Sequence, residues 1–189
     1  STRDFARAKS WMYGRATDFT ALIGLLTDAT SRYLIRQVEA GAEVLQIFDS
    51  WAGALSHPDM RQFCLAPLRQ IVATVRKAHP KVPIILFPRG IGAGYLDFAA
   101  EEFAQGLGLD SSVPLEWARD QLQTRACVQG NLDPQLLATG GRSLSAGTAR
   151  ILNRLGHGAF IFNLGHGIVP ETPPEHVGEL VKLVREWRG

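Results

Sequence analysis

The sequence has 189 residues, of which 46% are hydrophobic and 20% charged, and its formal net charge is +2. This length and balance are typical of one globular domain or part of a larger one, and they exclude a disordered chain. The 20 lysines and arginines are scattered, so the charge does not predict a nucleic-acid partner. No apolar stretch approaches the roughly 20 residues that cross a bilayer, so we expect no membrane association.

The two cysteines, Cys64 and Cys127, lie far apart and in no metal-ligand spacing, so we expect no metal. Reduced thiols and a cytoplasmic location are the simplest expectation. The first residues, Ser1 to Phe5, lack the apolar segment of a signal peptide. We expect them to be the cut end of a longer chain, although removal of a methionine before Ser1 would give the same start.

Helical and strand patterns alternate along the chain. The first helix ends at Gly41 and is predicted by helical spacing of five apolar residues, Leu22, Leu25, Leu26, Ala29 and Tyr33. Short apolar runs bounded by turn residues predict strands at 44–48, 82–87, 107–109, 126–130 and 159–163. Helices are predicted at 58–78 with a break at Pro67, at 96–105, at 114–121, after Asp133 with a break at Gly140, and at 174–187.

Five buried strands separated by helices predict an α/β fold with a parallel sheet covered on both sides. A complete (β/α)8 barrel has about 250 residues and eight strands. The chain is therefore expected to be one domain, residues 1–189, that forms part of such a barrel, and an open doubly wound domain is the alternative. In both folds, the loops after the carboxyl ends of the strands carry the chemistry.

The loop after the first predicted strand is one candidate site. Phe48 would form an apolar wall, and Ser50 would offer a hydrogen bond to a bound polar group. In the structural alternative, Asp49 and Ser50 cap the next segment and Trp51 packs in the core. The residues alone do not decide between the two. A serine hydrolase is disfavoured because no G-x-S-x-G motif is present.

The loop after the last predicted strand is the stronger candidate. His166 lies between Gly165 and Gly167, and these glycines allow the backbone to direct the imidazole into a cleft. A histidine in this place suits binding of a carboxylate or exchange of a proton near neutral pH. A surface histidine in a glycine-rich turn is the alternative.

Three further polar residues follow strands, and their roles stay open. Arg89 would clamp a carboxylate or lie in solvent. Gln129 and Asn131 would bond a ligand or a neighbouring loop, and the structural role is favoured. The glycines at 90–94 do not match the G-x-G-x-x-G spacing, which excludes a nicotinamide cofactor.

Other residues have structural explanations. Thr172 and Glu175 have the spacing of a capping box, and Asp133 before a proline is predicted to cap a helix. His157 and His176 are interpreted as ordinary surface or half-buried histidines.

Four segments together resemble the uroporphyrinogen decarboxylase family, in family order and over nearly the whole chain. They are GAEVLQIFDSWAG at 41–53, GLD at 108–110, QGNLDP at 129–134, and NLGHGI at 163–168 followed by PPEHV at 173–177. The resemblance implies the carboxyl-terminal part of a (β/α)8 barrel, with about five parallel strands. It also implies a cytoplasmic homodimer when the protein is full length.

The activity that the resemblance implies is removal of the four acetate carboxyl groups of uroporphyrinogen III to give coproporphyrinogen III. The enzyme would be a carboxy-lyase of porphyrin and haem biosynthesis that uses no metal or organic cofactor. In the mechanism that the resemblance implies, the pyrrole ring of the substrate serves as the electron sink, and the protein stabilises a cation and orients carboxylates.

By position in the motifs, Phe48, Ser50 and His166 match residues that contact the tetrapyrrole. The family's catalytic aspartate, its carboxylate-binding arginines and a pocket tyrosine have no counterpart here and are expected upstream of Ser1. The isolated chain is therefore expected to be an inactive fragment.

Two alternatives come from other functional classes. A zinc-dependent corrinoid methyltransferase of the same superfamily needs an H-x-C…C ligand set, which the sequence lacks. A non-catalytic half-barrel that binds or assembles is the other alternative, and its exposed sheet edges would favour pairing with another chain.

Overall fold

A computed structural model describes residues 3–101 and 104–189, which form two compact units. The first unit contains, in chain order, α1 (Ala6–Gly14), α2 (Ala16–Glu39), β1 (Leu45–Asp49), α3 (His57–Met60), α4 (Ala66–Ala78) and β2 (Ile84–Pro88). The second contains α5 (Tyr95–Ala99), β3 (Gly106–Gly108), α6 (Leu115–Trp117), β4 (Cys127–Leu132), α7 (Pro134–Thr139), α8 (Gly141–Leu155), β5 (Phe160–Leu164) and α9 (Pro174–Glu186).

All five strands run parallel to the strands they pair with. In the first unit β1 pairs with β2, with Leu45 opposite Ile84. In the second unit β4 pairs with β3 on one side and β5 on the other, and Val128 lies opposite Phe160. The predicted α/β fold of five parallel strands alternating with helices is confirmed, and it is consistent with part of a (β/α)8 barrel.

The core of the first unit includes the buried residues of α4 and β2. Every residue of β2 is buried, as expected of a strand covered on both faces. The predicted apolar face of α4 is also buried, since Leu68, Ile71, Val72 and Val75 are at most 6% exposed. This face was predicted correctly from helical spacing.

The apolar spacing that predicts α2 does not mark its buried face. Leu25 and Tyr33 are 62% and 63% exposed, whereas Thr27, Ser31 and Leu34 are buried. The two buried hydroxyls are satisfied within the helix, because Thr27 donates to the Ile23 carbonyl and Ser31 to the Thr27 carbonyl. This bonding lets α2 turn a partly polar face towards α4.

The break predicted at Pro67 in the helix at 58–78 lies a few residues earlier in the structure. A π-helical turn, Arg61–Leu65, separates α3 from α4. Pro67 lies in the first turn of α4, directly after this π-helical turn.

Proline also shifts the start of α9. The capping residue is Pro173, and no side chain bonds the first amides. Because Pro174 holds the preceding residue in an extended conformation, the helix begins one position later than a capping box at Thr172 requires. The capping-box prediction for Thr172 and Glu175 is therefore wrong. Asp133, by contrast, caps α7 as predicted, accepting from the Gln135 amide at 2.9 Å.

The core of the second unit lies between β3, β4 and α8. Leu107, Val128, Leu144 and Leu155 are fully buried. The predicted helix at 96–105 is shorter, since α5 ends at Ala99, and part of the prediction falls on residues 102 and 103, outside the described chain. Within the described ranges, no helix is both long enough and apolar enough to span a bilayer.

Candidate functional site

The carboxyl end of β1 presents Phe48 and Ser50 in the first unit. Phe48 is 64% exposed, and its ring meets the ring of Phe87 on β2 edge to face, with centroids 5.7 Å apart. The contact fixes one edge of the Phe48 ring and leaves most of its surface open. An apolar ligand would therefore meet a preformed wall there.

Ser50 is half-buried in the turn that follows β1. Among the residues that the structure describes, none makes a hydrogen bond to its hydroxyl. The structural alternative for this loop is wrong, because the short helix at 52–54 has no side-chain cap and Trp51 is 63% exposed. Trp51 packs on Phe5, with ring centroids 5.1 Å apart, rather than in the core.

The loops after β1 and β2 touch through glycine. The Gly53 amide donates to the Arg89 carbonyl at 2.9 Å, and the Arg89 amide donates to the Asp49 carbonyl at 3.1 Å. A Cβ atom at Gly53 would collide with the backbone of Gly90. Only glycine therefore allows this approach, which holds the turn that contains Ser50.

Cys64 lies behind the same turn and is buried. Burial raises the pKa of its thiol, and the Asp49 carboxylate raises it further. A thiol held in the protonated form is a poor nucleophile and a poor metal ligand. Within residues 3–101 and 104–189, no three histidine, cysteine or acidic side chains come close enough together to hold a metal ion.

A buried polar network follows β3 and β4 in the second unit. The Asp110 carboxylate accepts from the Tyr95 hydroxyl at 3.2 Å and from the Ser112 amide at 2.9 Å. The Asn131 amide donates to the carbonyls of Asp110 and Val113, at 3.2 and 2.9 Å. Asn131 thus has the structural role favoured from the sequence. The role of Asp110 was missed, although a carboxylate directly after a buried strand is a visible signal.

The His166 loop, residues 165–173, joins β5 to α9. Gly165 donates its amide to the Leu132 carbonyl at 2.7 Å, and a Cβ there would collide with the backbone of Ser111. His166 is exposed, and its Nδ1 accepts a hydrogen bond from the Gly167 amide at 2.6 Å. Because Nδ1 is an acceptor, the neutral ring carries its proton on Nε2. The ring is thereby prepared to donate to an anionic group.

His176 is half-buried, which the sequence interpretation allowed, but its contacts are specific. Its Nδ1 lies 2.9 Å from the Leu137 carbonyl at the end of α7. The ring also covers Gly140, where a Cβ would stand 2.5 Å from two ring atoms. His157 is exposed and packs on Trp187. Local sequence carries no signal for the His176 contacts, because Leu137 is 39 residues away.

A cleft of about 420 Å³ opens beside the polar network, at the carboxyl ends of β3 and β4. Ser111, Asn131 and Arg150 contribute polar groups to its lining. None of the candidates named from the sequence at 48, 50 or 166 lines this cleft.

Residues 1–187 match a protein-family model described as uroporphyrinogen decarboxylase. Several proteins named uroporphyrinogen decarboxylase are 45–50% identical to the chain. The one from Rhodospirillum rubrum is 50% identical over 188 residues, which cover 100% of this chain and 54% of that protein. The one from Mesorhizobium japonicum is 50% identical over 184 residues, with 97% and 53% covered. The chain spans about half the length of the curated relatives it matches.

A solved structure described as a methyltransferase from Methanosarcina mazei resembles the chain with a TM-score of 0.78. The sequences are 25% identical, and the match covers 95% of this chain and 52% of that protein. The chain therefore shares its parallel α/β architecture with about half of a longer solved protein.

Proposed function

Since the chain belongs to the uroporphyrinogen decarboxylase family, we propose that it forms part of an enzyme that decarboxylates uroporphyrinogen to coproporphyrinogen. The observation that carries the proposal is the family match over residues 1–187. The named relatives at 45–50% identity support the same activity. A methyltransferase function is less favoured, because the methyltransferase structure is only 25% identical.

Phe48, Ser50 and His166 are the residues proposed to contact the tetrapyrrole. The exposed ring of Phe48 provides an apolar surface for a pyrrole. The Ser50 hydroxyl and the Nε2–H of His166 are donors suited to carboxylate side chains. None of the three is proposed to supply the charge that stabilises the pyrrole cation.

The proposed reaction exchanges one carboxylate for one proton at each acetate. A proton adds to a pyrrole ring carbon and creates a cation, the bond to the carboxylate breaks, and CO2 leaves as its electron pair neutralises the ring. A second proton then adds at the former acetate carbon, and the first is lost from the ring. Donors from this chain would hold the other carboxylates during these steps, which is a matter of orientation.

The activity is tested in a hybrid protein, called the graft below, in which residues 1–189 replace the matching half of the Rhodospirillum rubrum protein. Formation of coproporphyrinogen is followed by chromatography. The graft should be active, whereas the isolated chain should be inactive, because the family's catalytic aspartate and arginines have no counterpart in it. A graft that unfolds cooperatively like the parent but forms no product would contradict the proposal.

Substitutions in the graft test the site itself. Ser50→Ala and His166→Asn should each lower kcat/KM about ten- to hundredfold, since a hydrogen bond to a charged group contributes about 1.5–3 kcal/mol. Ser143→Ala, on the exposed surface of α8, and His157→Asn are the matched controls and should leave kcat/KM unchanged. Equal activity of all four variants would remove Ser50 and His166 from the site.

The full-length protein is further proposed to act as a cytoplasmic homodimer. The support is the family resemblance, and sedimentation of the graft at micromolar concentration tests the dimer. A graft that sediments as a monomer would contradict it.

A further inference from the structure

The His166 loop has little buried surface of its own. Gly165 is buried, whereas His166, Gly167 and Ile168 are exposed. Exposed loops with few buried side chains open at low free energy. The position of the imidazole therefore depends on how the two ends of the loop are held.

The first end is held by the backbone. The Gly165 amide bonds the last residue of β4, Leu132, at 2.7 Å. The absence of a Cβ at Gly165 lets the loop lie directly on the backbone of Ser111. The turn at 110–112 beneath it is itself fixed by the Asp110 carboxylate.

The second end is held by His176, the third residue of α9. Its Nδ1 is 2.9 Å from the Leu137 carbonyl, and a carbonyl only accepts, so the ring donates. Leu137 is among the last four residues of α7, whose carbonyls lack partners within the helix. The His176 amide also donates to the Pro173 carbonyl at 3.1 Å, which closes the turn where the loop ends.

We propose that His176 is a positioning residue for His166. By bonding the Leu137 carbonyl and packing on Gly140, it fixes the α9 end of the His166 loop and so the place where the imidazole meets substrate. Gly140 has no side chain, which leaves room for the ring, and its φ of +70° is one that other residues rarely adopt. The role of His166 towards substrate rests on the proposed function, whereas the fixing of the loop does not.

Hydrogen exchange of the 189-residue chain tests the fixing of the loop. His176→Phe keeps a ring over Gly140 but has no donor, and His176→Asn keeps a donor at the position of Nδ1. His176→Phe should speed exchange of the Gly167 and Thr172 amides roughly tenfold, the effect of one lost hydrogen bond of ordinary strength. His176→Asn should exchange as the unsubstituted chain does.

Val177→Ala is the control, since Val177 is exposed and adjacent on α9. It should leave hydrogen exchange of the loop unchanged. If His176→Phe does not fold, His176→Ala takes its place and should show the same faster exchange. Unchanged loop exchange in His176→Phe and His176→Ala overturns the proposal. An equal rise across β3, β4 and α8 also overturns it, because His176 would then stabilise the whole second unit.

Kinetics of the graft separate positioning from folding. His176→Phe should raise KM for uroporphyrinogen more than it lowers kcat, and His176→Asn should restore both values. An inactive graft would count against the proposed function and leave the exchange result standing. An active graft whose KM is unaffected by His176→Phe would overturn the positioning role.

Discussion

Asp59 joins two helices of the first unit through a shared carboxylate. The oxygen that accepts from Tyr13 on α1 at 2.6 Å also accepts from Ser56, which precedes α3. These bonds favour the ionised carboxyl, so the Ser56 and then the Tyr13 hydroxyl hold the pKa of Asp59 below its usual range. Because its O–H donates to Asp59, the pKa of Tyr13 is raised.

The lowered pKa predicts how stability depends on pH. A carboxyl whose pKa is lower in the folded chain stabilises the fold above its unfolded value of about 3.9, and this contribution is lost as the pH falls through the folded value. Asp59→Asn should therefore be slightly less stable than the parent at pH 7, and the difference should shrink below about pH 4. Urea unfolding at pH 7, 5 and 3 measures this.

Tyr13→Phe separates the two bonds to Asp59. It removes one donor and keeps Ser56, so it should reproduce part of the stability that Asp59→Asn loses at pH 7. A stability difference between Asp59→Asn and the parent that persists unchanged at pH 3 would show that the carboxylate is not the stabilising group.

At the scale of elements, α2 has two faces with opposite roles. Leu34 is 5% exposed and faces the core, whereas Leu25 is 62% exposed. Leu34→Ala should destabilise the chain by about 2–5 kcal/mol, because it removes buried methyl groups and leaves a cavity. Leu25→Ala should change stability by at most about 0.5 kcal/mol.

Urea unfolding of the two leucine variants compares the faces with the same chemical change. Both positions lie in the interior of the same helix, so helix propensity affects them equally. A larger loss for Leu25→Ala would mean that the apolar stripe, and not the face containing Ser31, is the buried one.

Local patterns predicted the elements well where one face is uniformly apolar. The run of Leu68, Ile71 and Val75 predicted both α4 and its buried face, and the strands were located within about two residues. The buried face of α2 was not predictable, because Thr27 and Ser31 satisfy their hydroxyls within the helix. A pattern of apolar and polar residues does not show whether a hydroxyl bonds a carbonyl of its own helix, so it assigns Thr27 and Ser31 to the exposed face.

The candidate site also has a part that the sequence predicts and a part that it does not. The strand-end loops containing Ser50 and His166 follow from the alternation of strands and helices. The contacts that hold those loops join distant positions, such as Gly53 to Gly90 and His176 to Leu137. Only the folded chain brings these positions together, so sequence reasoning treated His176 as an ordinary histidine.

At the scale of the whole molecule, β5 ends the order of the described strands. It pairs with β4, and Ile161 on β5 is 43% exposed. A strand with an open edge and exposed apolar side chains pairs readily with another chain. The proposed complete barrel would close on this strand with sequence from the other half.

The isolated chain should therefore associate through β5 in a concentration-dependent way, and the graft should not associate beyond its proposed dimer. Ile161→Lys places a charge on the edge strand and should lower association of the isolated chain without lowering its stability. Val181→Lys is the matched control, since Val181 is 44% exposed but lies on α9. Sedimentation velocity over a hundredfold concentration range measures the difference. Association that both lysine variants reduce equally would mean that general hydrophobicity, and not the β5 edge, drives it.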